Sequence, residues 1–207
     1  MAKPDRSIDP RIMESAKKEF LVCGFEKASL KSICENAGIT TGALYKRYKG
    51  KEDLFCAVVA DTVADLDEFV VQKCAVSPAS LSDEALIEAW DMDEEVMMQW
   101  FRFLYAHHDG FVLLIKCADG TRYADFQHDW VETMTGKSYE YFLEAHKRGL
   151  ARVCISMEEM HILLSAFWTT IYEPFIHNYT WEQIEAHSKL VCGLFNWRRV
   201  LGFGASA

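Results

Sequence analysis

The fold of this protein is decided by the stretch SLKSICENAGITTGALYKRYKGK, residues 29–51. Ser29 and Thr40 each stand where a side-chain oxygen can accept from the free amides at the start of a helix, which predicts two short helices. Gly38 lies between them, where a tight turn requires a positive φ. Two short helices joined by such a turn form a helix-turn-helix, and the second helix has the right size for the major groove of B-DNA.

The rest of the chain is predicted to be helical as well. Apolar residues recur at three- and four-residue spacing almost throughout, which is typical of an all-α protein. Asp9 is expected to cap the first helix, Pro10 to occupy its first position and Gly24 to end it. The predicted helices cover residues 10–23, 30–37, 41–48, 51–76, 82–91, 93–107, 110–118, 122–149, 156–177 and 180–202.

Charge divides the chain into two parts. The net charge of −9 argues against a partner rich in phosphate, but residues 1–51 hold 11 Lys and Arg against 6 Asp and Glu. The remaining 156 residues hold 11 basic against 25 acidic side chains. A head of +5 on a body of −14 predicts a division of the chain near residue 51, with the basic part suited to nucleic acid.

Composition bounds the class of protein. No apolar run reaches the length of a membrane span, and residues 1–10 have no secretory character, so a cytoplasmic protein without membrane contact is expected. The seven cysteines form no CxxC pair and no spacing typical of zinc, which favours buried, reduced thiols. No phosphate-binding loop, nucleophile motif or cofactor motif is found, so we expect neither an enzyme nor a cofactor.

Residues 25–55 resemble the DNA-binding segment of TetR-type transcriptional regulators, and the resemblance extends over about residues 8–56. It implies an all-helical homodimer whose three N-terminal helices bind double-stranded operator DNA and whose body holds a small-molecule pocket. The implied domains are a helix-turn-helix DNA-binding domain over 1–50 and a helical ligand-binding and dimerisation domain over 51–207. By position in that motif, the expected contacts from the recognition helix are Thr41, Gly42, Ala43, Tyr45, Lys46 and Arg47. The residues expected to face the phosphate backbone are Ser29, Lys31, Thr40 and Lys51.

The body is rich in aromatic and methionine side chains at helical spacing. Each one taken alone is typical of an ordinary core, but together they suit a cavity between helices that takes an apolar or aromatic effector. The predicted pocket is bounded by Trp100, Phe103, Phe126, Trp130, Phe167 and Ile171.

The last two predicted helices carry apolar residues on two faces. A surface helix needs only one apolar stripe, so the second face predicts a partner, either a second copy of the chain or the interior of the same chain. For the first alternative the interface residues are Leu163, Trp168, Tyr172, Phe175, Leu190, Leu194, Trp197 and Leu201.

Asp125, His128, Asp129 and Glu132 share one face of a predicted helix and could bind a divalent cation, but a solvated charged face is favoured and no metal is expected. The predicted function is a ligand-responsive transcriptional regulator, most simply a repressor. Two alternatives stay open: a helical ligand-binding protein or enzyme with an incidental helix-turn-helix, and a regulator controlled by a protein partner.

Overall fold

The computed structural model describes residues 8–73 and 75–204, and within those ranges it is all-α, without a strand. The predicted fold class is therefore confirmed. The helices are α1 Asp9–Lys27, α2 Leu30–Ala37, α3 Thr41–Tyr45, α4 Lys51–Lys73, α5 Asp83–Glu88, α6 Glu94–Ala106, α7 His108–Lys116, α8 Phe126–Lys147, α9 Met157–Ile176, α10 Trp181–Leu194 and α11 Trp197–Leu201. Pro78–Ser80 forms a single 3-10 turn.

The chain packs as two compact units. The first, here called the head unit, extends to Asp67 and also takes in His107–Phe126, while the body unit comprises Glu68–Ala106 and Gln127–Ala207. The border between the units falls inside α4. The division of functions between 1–50 and 51–207 stays a prediction.

The head unit is built around aromatic side chains from α1 and α4. Phe20 meets Phe55 edge-on with ring centroids 5.1 Å apart, and Phe25 meets Phe55 at 5.6 Å. The segment with α7 belongs here because the Phe25 amide donates to the Cys117 carbonyl at 2.9 Å. Other buried positions in this core include Ile12, Ala16, Ile33, Leu44 and Leu54. This core holds α2 and α3 against α1.

The body unit has its own core, contributed mainly by α6, α8, α9 and α10. Phe101 of α6 stacks with Phe175 of α9 at 6.4 Å, and both rings are buried. Two capping boxes define the starts of α9 and α10, formed by Ser156 with Glu159 and by Thr180 with Gln183. These reciprocal hydrogen bonds satisfy amides that would otherwise lack partners at each helix start.

Several predicted helix ends were wrong. Asp9 lies inside the first turn of α1, where its carboxylate binds Arg47 instead of capping the helix. Gly24, by contrast, ends the regular first part of α1 as predicted, because its φ of 71° and ψ of 165° are not helical, and a short helical stretch then continues to Lys27. The last predicted helix divides after Leu194, and a new helix begins where Asn196 accepts from the Arg199 amide at 2.9 Å.

Two composition-based expectations can be compared with the fold. None of the helices within the described ranges is long and apolar enough to cross a membrane. Cys34 and Cys117 are buried, which raises the pKa of both thiols, but Cys154 is exposed, so burial does not extend to every cysteine.

Candidate nucleic-acid interface and ligand cavity

A carboxylate from α1 fixes the start of α2. Glu19 accepts from the Ser29 amide at 2.9 Å through Oε1 and from the Ser32 hydroxyl at 2.8 Å through Oε2. The Ser29 hydroxyl in turn accepts from the Ser32 amide at 3.3 Å, as expected of an N-cap. These bonds hold α2 in one orientation on α1.

The turn between α2 and α3 depends on Gly38. Its φ of 65° and ψ of 41° place it in the left-handed region, where it ends α2, and the Ile39 amide donates back to the Cys34 carbonyl at 2.9 Å. A Cβ at position 38 would collide with the guanidinium of Arg11. Glycine is therefore favoured here by the backbone conformation, and a Cβ would in addition displace the Arg11 guanidinium.

The start of α3 presents an exposed face of small, hydroxylic and basic side chains. Thr40 caps the helix by accepting from the Ala43 amide at 3.2 Å. Tyr45 is 57% exposed, which is a high value for a large aromatic side chain. The exposed members of the predicted contact set are Ser29, Lys31, Thr40, Thr41, Gly42, Tyr45 and Lys46. We name this set the α3 face.

Arg47 does not belong to the α3 face. Its Nε donates to the Asp9 carboxylate at 2.5 Å and its Nη1 to the Ala43 carbonyl at 3.2 Å. Only 16% of its side chain is exposed. The guanidinium ties the end of α3 to the start of α1, and the base or phosphate contact of Arg47 stays a prediction.

Lys51 also has partners within the head unit. Its Nζ donates to the carbonyls of Glu26 at 2.8 Å and Ala28 at 3.2 Å, and it lies 4.7 Å from the centre of the Phe25 ring. An ammonium at the end of α1 also has a favourable interaction with the helix dipole. These contacts stabilise the end of α1, and the phosphate contact of Lys51 stays a prediction.

A cavity of about 420 Å³ lies within the body unit, in the usual size range for small-molecule sites. Its wall is mostly apolar and aromatic, with a few polar groups. The lining residues are Val76, Leu81, Ala85, Glu88, Ala89, Trp90, Asp91, Met92, Val96, Trp100, Met134, Lys137, Ser138, Tyr141, Leu164, Phe167, Trp168 and Trp197.

Two of the six predicted pocket residues, Trp100 and Phe167, lie on the cavity wall. The other four do not line it. Phe103 packs on Phe69 of α4 at 4.6 Å, Trp130 packs edge-on to Trp168 at 5.6 Å and Ile171 is buried in α9, while Phe126 belongs to the head unit.

The sequence reasoning missed Trp90 and Met92, which form part of the wall at the end of α5. In residues 88–93 the acidic and apolar residues alternate without helical spacing, so periodicity gives no signal there. The one available sign of a half-buried segment is that Trp90 and Met92 stand between charged residues.

The predicted interface residues separate into two groups. Trp168, Tyr172, Phe175, Trp197 and Leu201 are buried inside the chain, and burial raises the pKa of the Tyr172 hydroxyl. Their assignment to an interface is corrected, because they already pack against the body core, and Trp168 and Trp197 line the cavity.

Leu190 and Leu194 of α10 are instead 72% and 69% exposed, and Leu163 is half-buried. The sequence reasoning missed Ile162 of α9, which is 66% exposed.

The proposed ion ligands Asp125, His128, Asp129 and Glu132 are not brought together. Across residues 8–73 and 75–204, no group of three His, Cys, Asp or Glu side chains is placed to hold a metal ion.

Comparison with known proteins agrees with this geometry. Residues 12–58 match the family described as bacterial regulatory proteins, tetR family. The HTH-type transcriptional regulator UidR of Escherichia coli K12 is 38% identical over 58 residues, which is 28% of each chain. The head of this chain is therefore a tetR-family helix-turn-helix domain. The match spans little more than a quarter of the curated relative.

Solved structures resemble the whole chain. A TetR family member from Streptomyces coelicolor A3 superimposes with a TM-score of 0.60 at 18% identity, covering 95% of this chain and 94% of that one. The regulator FadR from Bacillus subtilis, solved with stearoyl-CoA, gives 0.57 at 13% identity, with 90% and 96% covered. At such identities the likeness shows the fold, an N-terminal helix-turn-helix domain followed by a helical domain.

Proposed function

We propose that this protein is a ligand-responsive transcriptional repressor that binds a palindromic operator as a homodimer. The observation that carries the proposal is the exposed α3 face on a tetR-family domain, in a chain whose body holds a cavity of about 420 Å³. The regulators it resembles act in the bacterial cytoplasm, where operator DNA lies, and we propose the same location here.

The chemistry of the α3 face supports major-groove binding. Small residues at the start of α3 let backbone amides approach phosphates, and the threonine hydroxyls can reach phosphate or base edges. Tyr45 offers an exposed ring and a hydroxyl, and Lys46 supplies a positive charge that no other residue of the head engages in a described ion pair. Lys31 pairs only loosely with Glu35 at 3.8 Å and remains 81% exposed.

The homodimer is proposed to form through α9 and α10. The His187 Nε2 atom lies 2.7 Å from the Thr170 carbonyl oxygen, which places the two helices side by side. Each helix exposes an apolar row at helical spacing, and together these rows comprise Ile162, Ala166, Ala186, Leu190, Gly193 and Leu194. Small residues between leucines permit close helix packing, and the same rows from a second copy would form a symmetric interface.

Effector binding can reach the head through α4. Phe69 near the end of α4 packs on Trp100, a cavity-lining residue, with centroids 4.2 Å apart. Nearer its start, α4 contributes Leu54, Phe55 and Val59 to the core of the head unit. An effector that binds more tightly when Trp100 takes one of two positions would shift α4 toward the matching position. The change in DNA affinity is then limited by the difference between the effector's affinities for the two conformations of the protein.

The cavity favours this proposal over its alternatives. A regulator controlled by a protein would need a broad exposed apolar patch more than a small-molecule cavity. The structurally similar FadR was solved with an acyl-coenzyme A, so this fold can enclose a small molecule. A carrier or enzyme with an incidental helix-turn-helix would show no sequence-specific DNA binding.

The proposal is tested by selecting duplexes from a random library with the full-length protein and measuring their affinity by fluorescence anisotropy. We expect an enriched palindrome whose half-sites lie about one helical turn apart, with affinity that falls steeply with salt. Lys46→Ala should weaken binding, while Lys18→Ala, which removes an exposed lysine from α1, should not. Absence of an enriched sequence, or equal affinity of both variants, would refute it.

A further inference from the structure

Two buried hydrogen-bond donors on the cavity wall lack acceptors. Trp90 and Trp168 are 7% and 3% exposed, and both line the cavity. Within residues 8–73 and 75–204, neither indole N–H has a hydrogen-bond partner, as is also true of two buried groups away from the cavity, Trp130 Nε1 and the Tyr172 hydroxyl. Buried polar groups are nearly always paired in native proteins, so two unpaired donors on side chains that line one cavity favour a ligand that brings an acceptor.

The surroundings of these donors are aromatic. Trp100 meets Trp168 edge-on with centroids 5.1 Å apart and an interplanar angle of 85°, and Trp197 lies 6.2 Å from Trp90. Flat ring faces and edges of this kind favour offset or edge-on packing of another ring. Met92 and Met134 are also on the wall, and their flexible thioethers adapt to the outline of a ligand.

The charges on the wall do not favour an anion. Its basic member, Lys137, pairs with Glu140 at 3.7 Å. Asp91 is bound by Arg198, and Glu88 adds a further exposed negative charge. A carboxylate or phosphate entering this cavity would meet two acidic lining residues, Glu88 and Asp91, against one lysine, Lys137, whose exposed pair with Glu140 is loose, so the net charge of the wall favours a neutral ligand.

We propose that the cavity binds a neutral, planar aromatic compound with at least one oxygen acceptor, which receives a hydrogen bond from the indole N–H of Trp90 or Trp168. In naming the class of effector this inference rests on the proposed function, but it concerns binding to the cavity and is tested without DNA. It separates this chain from regulators of the same fold that take anionic acyl compounds.

The test uses three probes of similar shape and isothermal titration calorimetry on the full-length protein. 2-Acetylnaphthalene carries a carbonyl acceptor, 2-isopropenylnaphthalene replaces that oxygen with a methylene group, and 2-naphthoate carries a negative charge. We expect the ketone to bind about tenfold more tightly than the alkene, as one hydrogen bond to an otherwise unpaired donor would give. The naphthoate should bind more weakly than the ketone.

Variants assign the effect to the two donors. Trp90→Phe and Trp168→Phe each remove one indole N–H. At least one of these two variants should show a smaller preference for the ketone over the alkene. Trp197→Phe is the matched control, because it also shortens a cavity-lining indole but leaves both unpaired donors in place. It should lower the affinity for both probes by the same factor.

The proposal is overturned if neither neutral probe binds, if the alkene equals the ketone, or if the naphthoate binds most tightly. An equal loss of preference in Trp197→Phe would overturn the assignment to Trp90 and Trp168. The comparison of probes on the unmodified protein remains decisive where a tryptophan variant fails to fold. If no DNA sequence is enriched but the ketone binds more tightly than the alkene, the proposed repressor function is rejected and the inference about the cavity stands. If a DNA sequence is enriched but the ketone is not preferred, the repressor function stands and this inference is rejected.

Discussion

Lys46 and Arg47 are adjacent basic residues at the end of the recognition helix, and the structure predicts that they fail in different ways when removed. Lys46 is exposed and belongs to the α3 face, whereas Arg47 binds the Asp9 carboxylate and the Ala43 carbonyl. Lys46→Ala should therefore weaken DNA binding without loss of stability. Arg47→Ala should instead reduce the free energy of unfolding.

The expected size of the Arg47 effect follows from its contacts. A hydrogen bond to a charged group contributes about 1.5–3 kcal/mol when well shielded, but Asp9 is 42% exposed, which brings the pair closer to the value of about 1 kcal/mol for a surface ion pair. The bond to the Ala43 carbonyl adds about 0.5–1 kcal/mol. Arg47→Ala should thus lose about 1.5–2 kcal/mol, while Lys46→Ala should change stability by less than about 0.5 kcal/mol.

Urea unfolding and salt-dependent DNA binding separate the two roles. For a dimer, loss of one phosphate contact per protomer should reduce the slope of log affinity against log salt by about 1.8 in Lys46→Ala. Asp9→Asn with Arg47→Ala forms a double-mutant cycle in which the two changes should be strongly non-additive. If Arg47→Ala kept full stability and lost the salt slope instead, the assignment of Arg47 to the α1–α3 contact would be wrong.

Three further outcomes are expected. Gly38→Ala should lose at least about 1 kcal/mol in urea unfolding, because alanine resists positive φ and its Cβ would displace a guanidinium. Phe69→Ala should bind DNA normally but respond less to an effector in anisotropy titrations. Although burial opposes it, hydrogen bonds from His108 and Lys17 lower the pKa of Asp109, so the stabilisation by its carboxylate exists at neutral pH and is lost as acidification protonates it. Asp109→Asn should lose about 0.5 kcal/mol at pH 7 in urea unfolding, and the difference from the parent should shrink as the pH falls through the acidic range.

The helix-turn-helix could be predicted from sequence because each of its determinants is local. Ser29, Gly38 and Thr40 form their cap hydrogen bonds with residues only a few positions away in the chain. The local amino-acid sequence is therefore enough to place α2 and α3. Glu19 could not be predicted in the same way. It holds the start of α2 from ten residues away, and nothing in its own surroundings distinguishes it from a solvated glutamate.

The body resisted prediction because helical spacing shows that a residue faces an apolar environment without showing which one. Trp168 and Leu194 are both predicted to lie at an interface, but Trp168 is buried and lines the cavity, and only Leu194 is exposed. Likewise, the sequence predicts a phosphate contact for Lys51 and gives no sign of its hydrogen bonds to the carbonyls of Glu26 and Ala28. Such choices depend on which distant helix lies alongside, which periodicity does not encode.

The second segment of the head unit has a consequence for hybrid regulators made by exchanging DNA-binding regions. His107–Phe126 packs with the N-terminal helices, and the Cys117 carbonyl accepts a hydrogen bond from the Phe25 amide at 2.9 Å. A graft cut at residue 50 would leave this segment matched to the wrong helices and uncover aromatic core at Phe25. A transplant that carries both segments together would preserve these contacts, so the modular unit for swapping specificity is discontinuous in sequence.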